Sequence, residues 1–108
     1  MPFIDLNQAK QVEIISGYKA RFVHTGNYTL SYWNITAGAE LPEHQHMHQQ
    51  VSMIIKGRFE ITIDGQTQTL EKGMIALIPP NTLHSAKALT DCEVTDIFYP
   101  ERDDYKFE

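Results

Sequence analysis

Cysteine is nearly absent. Cys92 stands alone in 108 residues, so no internal disulfide framework holds the fold and the chain suits a reducing compartment. Lysine and arginine never cluster, and 14 acidic residues outnumber nine basic ones for a formal charge of −5. Without a basic stripe to track a phosphate backbone, nucleic acid is not an expected partner. No apolar run approaches the roughly 20 residues that a membrane-spanning helix needs, so no membrane partner is expected either. The opening Met1-Pro-Phe-Ile-Asp5 lacks a positive region followed by an apolar stretch. No signal peptide is therefore expected, and the cytoplasm is the natural address. Internal repeats and flexible linkers are also missing, and the length fits one domain over residues 1–108.

What is present is an ordinary globular mixture, 42% apolar and 10% aromatic, arranged almost entirely as strand signals. Tyr28 to Ile35 is aromatic and β-branched and stops before Gly38. Val51 to Ile55 ends at Lys56-Gly57, and Arg58 to Ile63 follows at once. Asp64-Gly65 is a strong hairpin signal, because a type I′ turn needs positive φ at both central residues. Gln66 to Leu70 returns along the partner strand, Lys72-Gly73 turns again, and Met74 to Ile78 closes at Pro79-Pro80-Asn81. Two further strands are expected over His84 to Leu89 and Cys92 to Tyr99, with Cys92 a buried small hydrophobe. Only Leu6 to Ile15 carries a weak helical pattern. Short strands separated by turn chemistry predict an all-β sandwich or barrel.

The chemistry concentrates between Gly38 and Gly57, where the chain reads His44-Gln-His46-Met-His48-Gln-Gln50. Side chains alternate across extended chain, so positions 44, 46, 48 and 50 share a face. Two imidazoles and a third polar group then form a three-sided claw, and His84, at the start of the strand that follows Pro79-Pro80-Asn81, supplies a fourth ligand. Four protein ligands leave open positions for water or substrate. Packing explains such a cluster poorly, because burying several imidazoles together costs desolvation unless something coordinates or pairs them. His48 has the right parity but is not needed for closure; it reads as a rim residue that orients a ligand. His24 reads as a surface or packing residue. The ligand set suits one divalent ion, Zn, Ni, Fe or Mn.

Both stretches resemble the two cupin motifs, G-x5-H-x-H-x3-E-x6-G and G-x5-P-x-G-x2-H-x3-N. Gly38, His44, His46, Gly57, Gly73, Pro79 and His84 stand at matching positions in segments 38–57 and 73–88. The resemblance implies a double-stranded β-helix, the jelly-roll barrel. Three positions depart. Asn81 replaces a glycine, a mild change because Asn tolerates positive φ, and Ala88 replaces an Asn away from the ligands. Gln50 replaces the usual Glu and leaves the site one negative charge short, which makes a bound metal a stronger Lewis acid and harder to oxidise. Three histidines with a glutamine resemble the cupins that linearise unsaturated uronic acids, usually called the KdgF type. The tail from Asp96 to Tyr105 is similar to theirs, in which an Asp, a Phe and an Arg at this spacing line the pocket.

On Cys92 to Tyr99 one face carries Cys92, Val94, Asp96 and Phe98. If that face is the inner one, Asp96 is a carboxylate aimed into the barrel beside a metal, a setting suited to proton transfer. Arg102, just past the strand in the pocket segment 92–102, is placed to grip a substrate carboxylate. Asp103, Asp104 and Glu108 read as solvated. The resemblance implies metal-dependent ring opening of a 4,5-unsaturated uronate monosaccharide, with Asp96, Phe98 and Arg102 as catalytic residues and a small sugar acid as partner. It also implies a homodimer that exchanges strands at the N-terminal side. The alternatives are a small metal-dependent cupin dioxygenase and a non-enzymatic metal- or sugar-binding module.

Overall fold

A computed structural model describes residues 2–107. Ten strands follow one another: β1 (Val12–Ile15), β2 (Tyr18–His24), β3 (Thr29–Ile35), β4 (Glu40–His44), β5 (Gln49–Lys56), β6 (Phe59–Ile63), β7 (Gln66–Leu70), β8 (Ile75–Ile78), β9 (His84–Ala88) and β10 (Cys92–Tyr99). They build a six-stranded sheet in the order β1-β2-β3-β10-β5-β8 and a four-stranded sheet in the order β4-β9-β6-β7. Every pairing is antiparallel. From β3 onward the chain passes repeatedly between the sheets, which gives the all-β jelly-roll architecture that the motifs imply.

The period-2 pattern decides which side of each strand meets the core. On β10 Cys92, Val94, Asp96 and Phe98 are buried while Glu93 and Tyr99 face outward. Tyr18, Trp33, Ile54, Phe59, Ile61, Leu70 and Val94 fill the space between the sheets. Each large apolar side chain removed from water there contributes about 1.5–3 kcal/mol.

Turn chemistry sets the registers. Asp64 and Gly65 adopt φ of 48° and 79°, so the β6–β7 hairpin has the conformation expected of an Asp-Gly turn. Asn81 takes φ 59° at the position where the motif has glycine. Gly57 combines φ 88° with close packing: a Cβ there would collide with the Asp91 carbonyl and crowd the Cys92 sulfur.

The N-terminal segment departs from expectation. Leu6 to Ile15 is not a helix. A 3-10 turn over Leu6–Gln8, capped by the Asp5 side chain on the Asn7 N–H, leads into β1. Val12 and Glu13 pair with Ala20 and Lys19 of β2, and a bulge then lets both Ile14 and Ile15 pack on the core. Tertiary pairing overrides a weak local pattern here. Cys92 is buried as expected, its thiol donating to the Arg58 and Thr90 carbonyls at 3.2 Å. No helix among the described residues is long and apolar enough to cross a membrane.

Candidate metal centre and pocket

The ligand cluster forms at a corner where one sheet hands over to the other. His44 ends β4 and pairs directly with His84, the first residue of β9, in the four-stranded sheet. Gln50 lies at the start of β5 in the six-stranded sheet, between Ile78 of β8 and Phe98 of β10. His46 sits in the connecting loop, and its carbonyl accepts from the Asn81 N–H at 2.7 Å. The turn carrying the second motif thus fastens the loop of the first. The claw is therefore not one extended strand: the chain leaves β4 after His44 and re-enters a sheet only at Gln49.

Ligand nitrogens of His44, His46 and His84 all lie within 4.8 Å of one another. Their tautomers follow from their hydrogen bonds. His44 Nδ1 donates to the Pro42 carbonyl at 2.8 Å, and His84 Nδ1 donates to the Thr82 carbonyl at 2.8 Å. A ring that donates from Nδ1 while neutral keeps its lone pair on Nε2, so both present the ligating form. His46 Nε2 is 3.0 Å from Gln50 Oε1, which brings the amide oxygen to the same group. Gln50 is itself buried at 8% exposure.

The charge states agree. Burial lowers the His46 pKa to about 4, helped by the Arg102 cation and opposed by the Gln50 hydrogen bond. Burial lowers His84 as well, against the Thr82 hydrogen bond. Both rings are neutral at pH 7, as metal ligation requires. His48 lies beside this group, its ring centroid 5.4 Å from that of His46 and 6.5 Å from that of Phe98.

Asp96 lies on the cavity side of β10 at 6% exposure, opposite Ser31 of β3 and Ser52 of β5. Burial raises its pKa to about 6, while Ser52, Gln50, Trp33 and the Arg102 charge pull it back. Its Oδ1 and the Trp33 Nε1 have no hydrogen-bond partner of good geometry among the described residues. Neither do Ser31 Oγ, His46 Nδ1, His48 Nδ1 and His84 Nε2. Buried polar atoms are normally partnered, and three of these residues, Trp33, His84 and Asp96, line one cavity, where an external group could supply the missing partner. The residues present fit a divalent cation.

Phe98 is 2% exposed and places its ring 5.7 Å from that of His46. Arg102 is buried and lines the same cavity as His44, Gln50, His84, Asp96 and Phe98. Its guanidinium lies 4.8 Å above the Phe98 ring and 4.1 Å above that of Tyr105. Its Nε and Nη2 donate to the two Asp104 oxygens at 3.0 and 2.7 Å. Asp104 is therefore not merely solvated, as the sequence reading has it; Arg102 pulls its pKa below the usual range. Asp103 remains open to water with Lys106 at 3.0 Å, and Glu108 lies outside the described residues. His24 is a packing residue: it contacts Thr29 Oγ1 at 2.8 Å and the Tyr105 carbonyl at 3.1 Å, fastening the tail across the barrel.

The chain thus gathers His44, Gln50, His84, Asp96, Phe98 and Arg102 around one cavity, with His46 against Gln50, His84 and Phe98 beside it. Sequence reasoning gave no role to Tyr105, Trp33 or Ser52. Tyr105 carries only the signal of an aromatic just past Arg102, and Ser52 only that of sharing the Gln50 face of β5.

A jelly-roll barrel with this histidine group is a cupin, and the chain belongs to the Cupin_2 family (Cupin domain), which it matches over residues 31–98. It is 31% identical over 70 residues to the pectin degradation protein KdgF of Dickeya dadantii (strain 3937), covering 63% of this chain and 64% of that protein. It is 27% identical over 100 residues to the H2HPP isomerase of Bacillus subtilis, covering 90% of this chain and 42% of that protein. The chain therefore spans less than two thirds of both relatives. The structure of KdgF from Halomonas sp. superposes with a TM-score of 0.91 at 28% identity, covering 98% of this chain and 99% of that one. The protein is thus a small cupin similar to the KdgF type.

Proposed function

We propose that this cupin is a metal-dependent enzyme that opens the ring of 4,5-unsaturated uronate monosaccharides to the linear keto form. The observation that carries the reading is one cavity holding a histidine corner with free lone pairs, a buried carboxylate and a buried arginine. Similarity to a KdgF named for pectin degradation and to a second KdgF of known structure supports the substrate class. The Bacillus relative is named an isomerase, a class that rearranges atoms without net oxidation. That agrees with a neutral Gln50 where a redox site favours a carboxylate, and it weighs against the dioxygenase alternative.

His44, His46, Gln50 and His84 would hold one divalent ion. When bound, the ion supplies Lewis-acid polarisation of substrate oxygens where negative charge develops. Asp96 accepts the proton of the anomeric hydroxyl as the bond between C1 and the ring oxygen breaks. C1 becomes an aldehyde and the ring oxygen an enolate at C5; the same proton then returns to C4 and the enolate becomes a ketone. Nothing enters or leaves, so the step is an isomerisation that one carboxyl can serve. Arg102 attracts the substrate carboxylate, and its charge reaches as far as His46, whose pKa it helps to lower. Phe98 packs against the sugar and, with Tyr105, holds the guanidinium in place.

For assembly, we infer a homodimer through the outer face of the six-stranded sheet. A single aliphatic row crosses five strands there, Leu77–Val51–Ile97–Leu30–Val23, and Leu77 is 67% exposed. The row carries no charge to repel a second copy.

The test is incubation of metallated protein with unsaturated galacturonate or guluronate, following ultraviolet absorbance of the conjugated enol ether. Loss of absorbance with no oxygen uptake supports the reading. Oxygen consumption on a small acid substrate would replace it with the dioxygenase.

A further inference from the structure

Ser52 has no part in the reading above. It is 2% exposed on β5, on the same face as Gln50 and directly opposite Asp96 of β10. Its Oγ accepts from Gln50 Nε2 at 3.0 Å, while the other end of that amide, Oε1, is 3.0 Å from His46 Nε2. An amide has one donating and one accepting end, and only the oxygen can face a cation favourably. A serine hydroxyl has one proton. If that proton is directed at the Asp96 carboxylate, which Ser52 stabilises, the oxygen is left to accept from Gln50.

We propose that Ser52 is a positioning residue for the metal centre. It holds the Gln50 amide so that Oε1, and not Nε2, faces the His44–His46–His84 group, and it joins that choice to Asp96. The proposal rests on the metal-site reading above. A glutamate at position 50 would need no such partner, because either carboxylate oxygen can ligate. Ser52 therefore matters because position 50 is a glutamine, a dependence that a mere packing role would not show.

The test is Ni(II) and Zn(II) affinity of metal-free protein, by calorimetry or chelator competition, in wild type, Ser52→Ala, Gln50→Glu and the double variant. Ser52→Ala is expected to weaken binding about tenfold, the scale for removing a group that orients a metal ligand. In the Gln50→Glu background the same change is expected to cost less than about twofold, since the orienting hydrogen bond is already irrelevant. Thermal unfolding with chelator present separates folding from binding. Should Ser52→Ala unfold, Ser52→Thr against Ser52→Val makes the same comparison of hydroxyl with methyl at equal volume. Equal losses in both backgrounds, or none in Ser52→Ala, would overturn the role of Ser52 and leave the metal centre standing. A wild type that binds neither metal would overturn the centre and this proposal together.

Discussion

The histidine corner and the strand end bearing Asp96, Phe98 and Arg102 share one cavity, yet the protein treats their polar atoms in opposite ways. At the corner it supplies each ring with one partner and leaves the other nitrogen of His84 and His46 without any. At the strand end Arg102 is already satisfied by both Asp104 oxygens and held against two aromatic rings. The corner offers donors that a divalent ion could complete into a coordination set. The arginine is a preorganised charge that loses little further freedom when it meets an anion. Asp96 belongs to both regions: burial raises it, the corner's Gln50 and the far side's Arg102 lower it, and one oxygen is left unpartnered.

Removing members of each region should separate their tasks. The largest effect is expected at the corner. His46→Ala and His84→Ala should lower metal occupancy by about a hundredfold or more, since each removes one of few ligands. Elemental analysis of dialysed protein reads this directly. Next, Arg102→Ala should raise KM about tenfold or more with a smaller fall in kcat, because it removes a charge-assisted contact made already in the ground state. Steady-state kinetics on an unsaturated uronate would show the split, and a loss confined to kcat would move Arg102 into the chemistry. A subtler change is Gln50→Glu, which should hold metal as tightly or more so, because a carboxylate adds charge, while lowering turnover. Unchanged turnover would make the glutamine incidental. The smallest effect is expected for His48→Ala, which should keep most of its metal. Should it instead be the worst of the histidine variants, the ligand set would shift to 46 and 48.

The two regions also differed in how far the sequence disclosed them. The hairpins of the motif half were legible because their turns require particular residues. Asp64-Gly65 admits few alternatives, and β7 and β10 span the stretches expected. The N-terminal half was less so: the Ser16-Gly17 turn between β1 and β2, with Gly17 at φ 82°, is a weaker signal than Asp-Gly, and β1 is a strand because β2 lies beside it. At the site, spacing indicated His44, His46, Gln50 and His84 as a set, but strand parity suggested one extended claw. Parity cannot show that the chain changes sheets between His44 and Gln49. The partners of Arg102 were hidden for a related reason. Asp104 and Tyr105 lie on a short 3-10 turn whose direction depends on tertiary contacts, so acidic tail residues read as solvated.

The division of labour meets its most direct test in Asp96→Asn, with metal content and loss of enol-ether absorbance measured on the same sample. The account predicts full metal occupancy with kcat reduced by roughly 10²–10⁴, the usual range for losing a general acid–base group. Wild-type turnover in a fully metallated Asp96→Asn protein would contradict it.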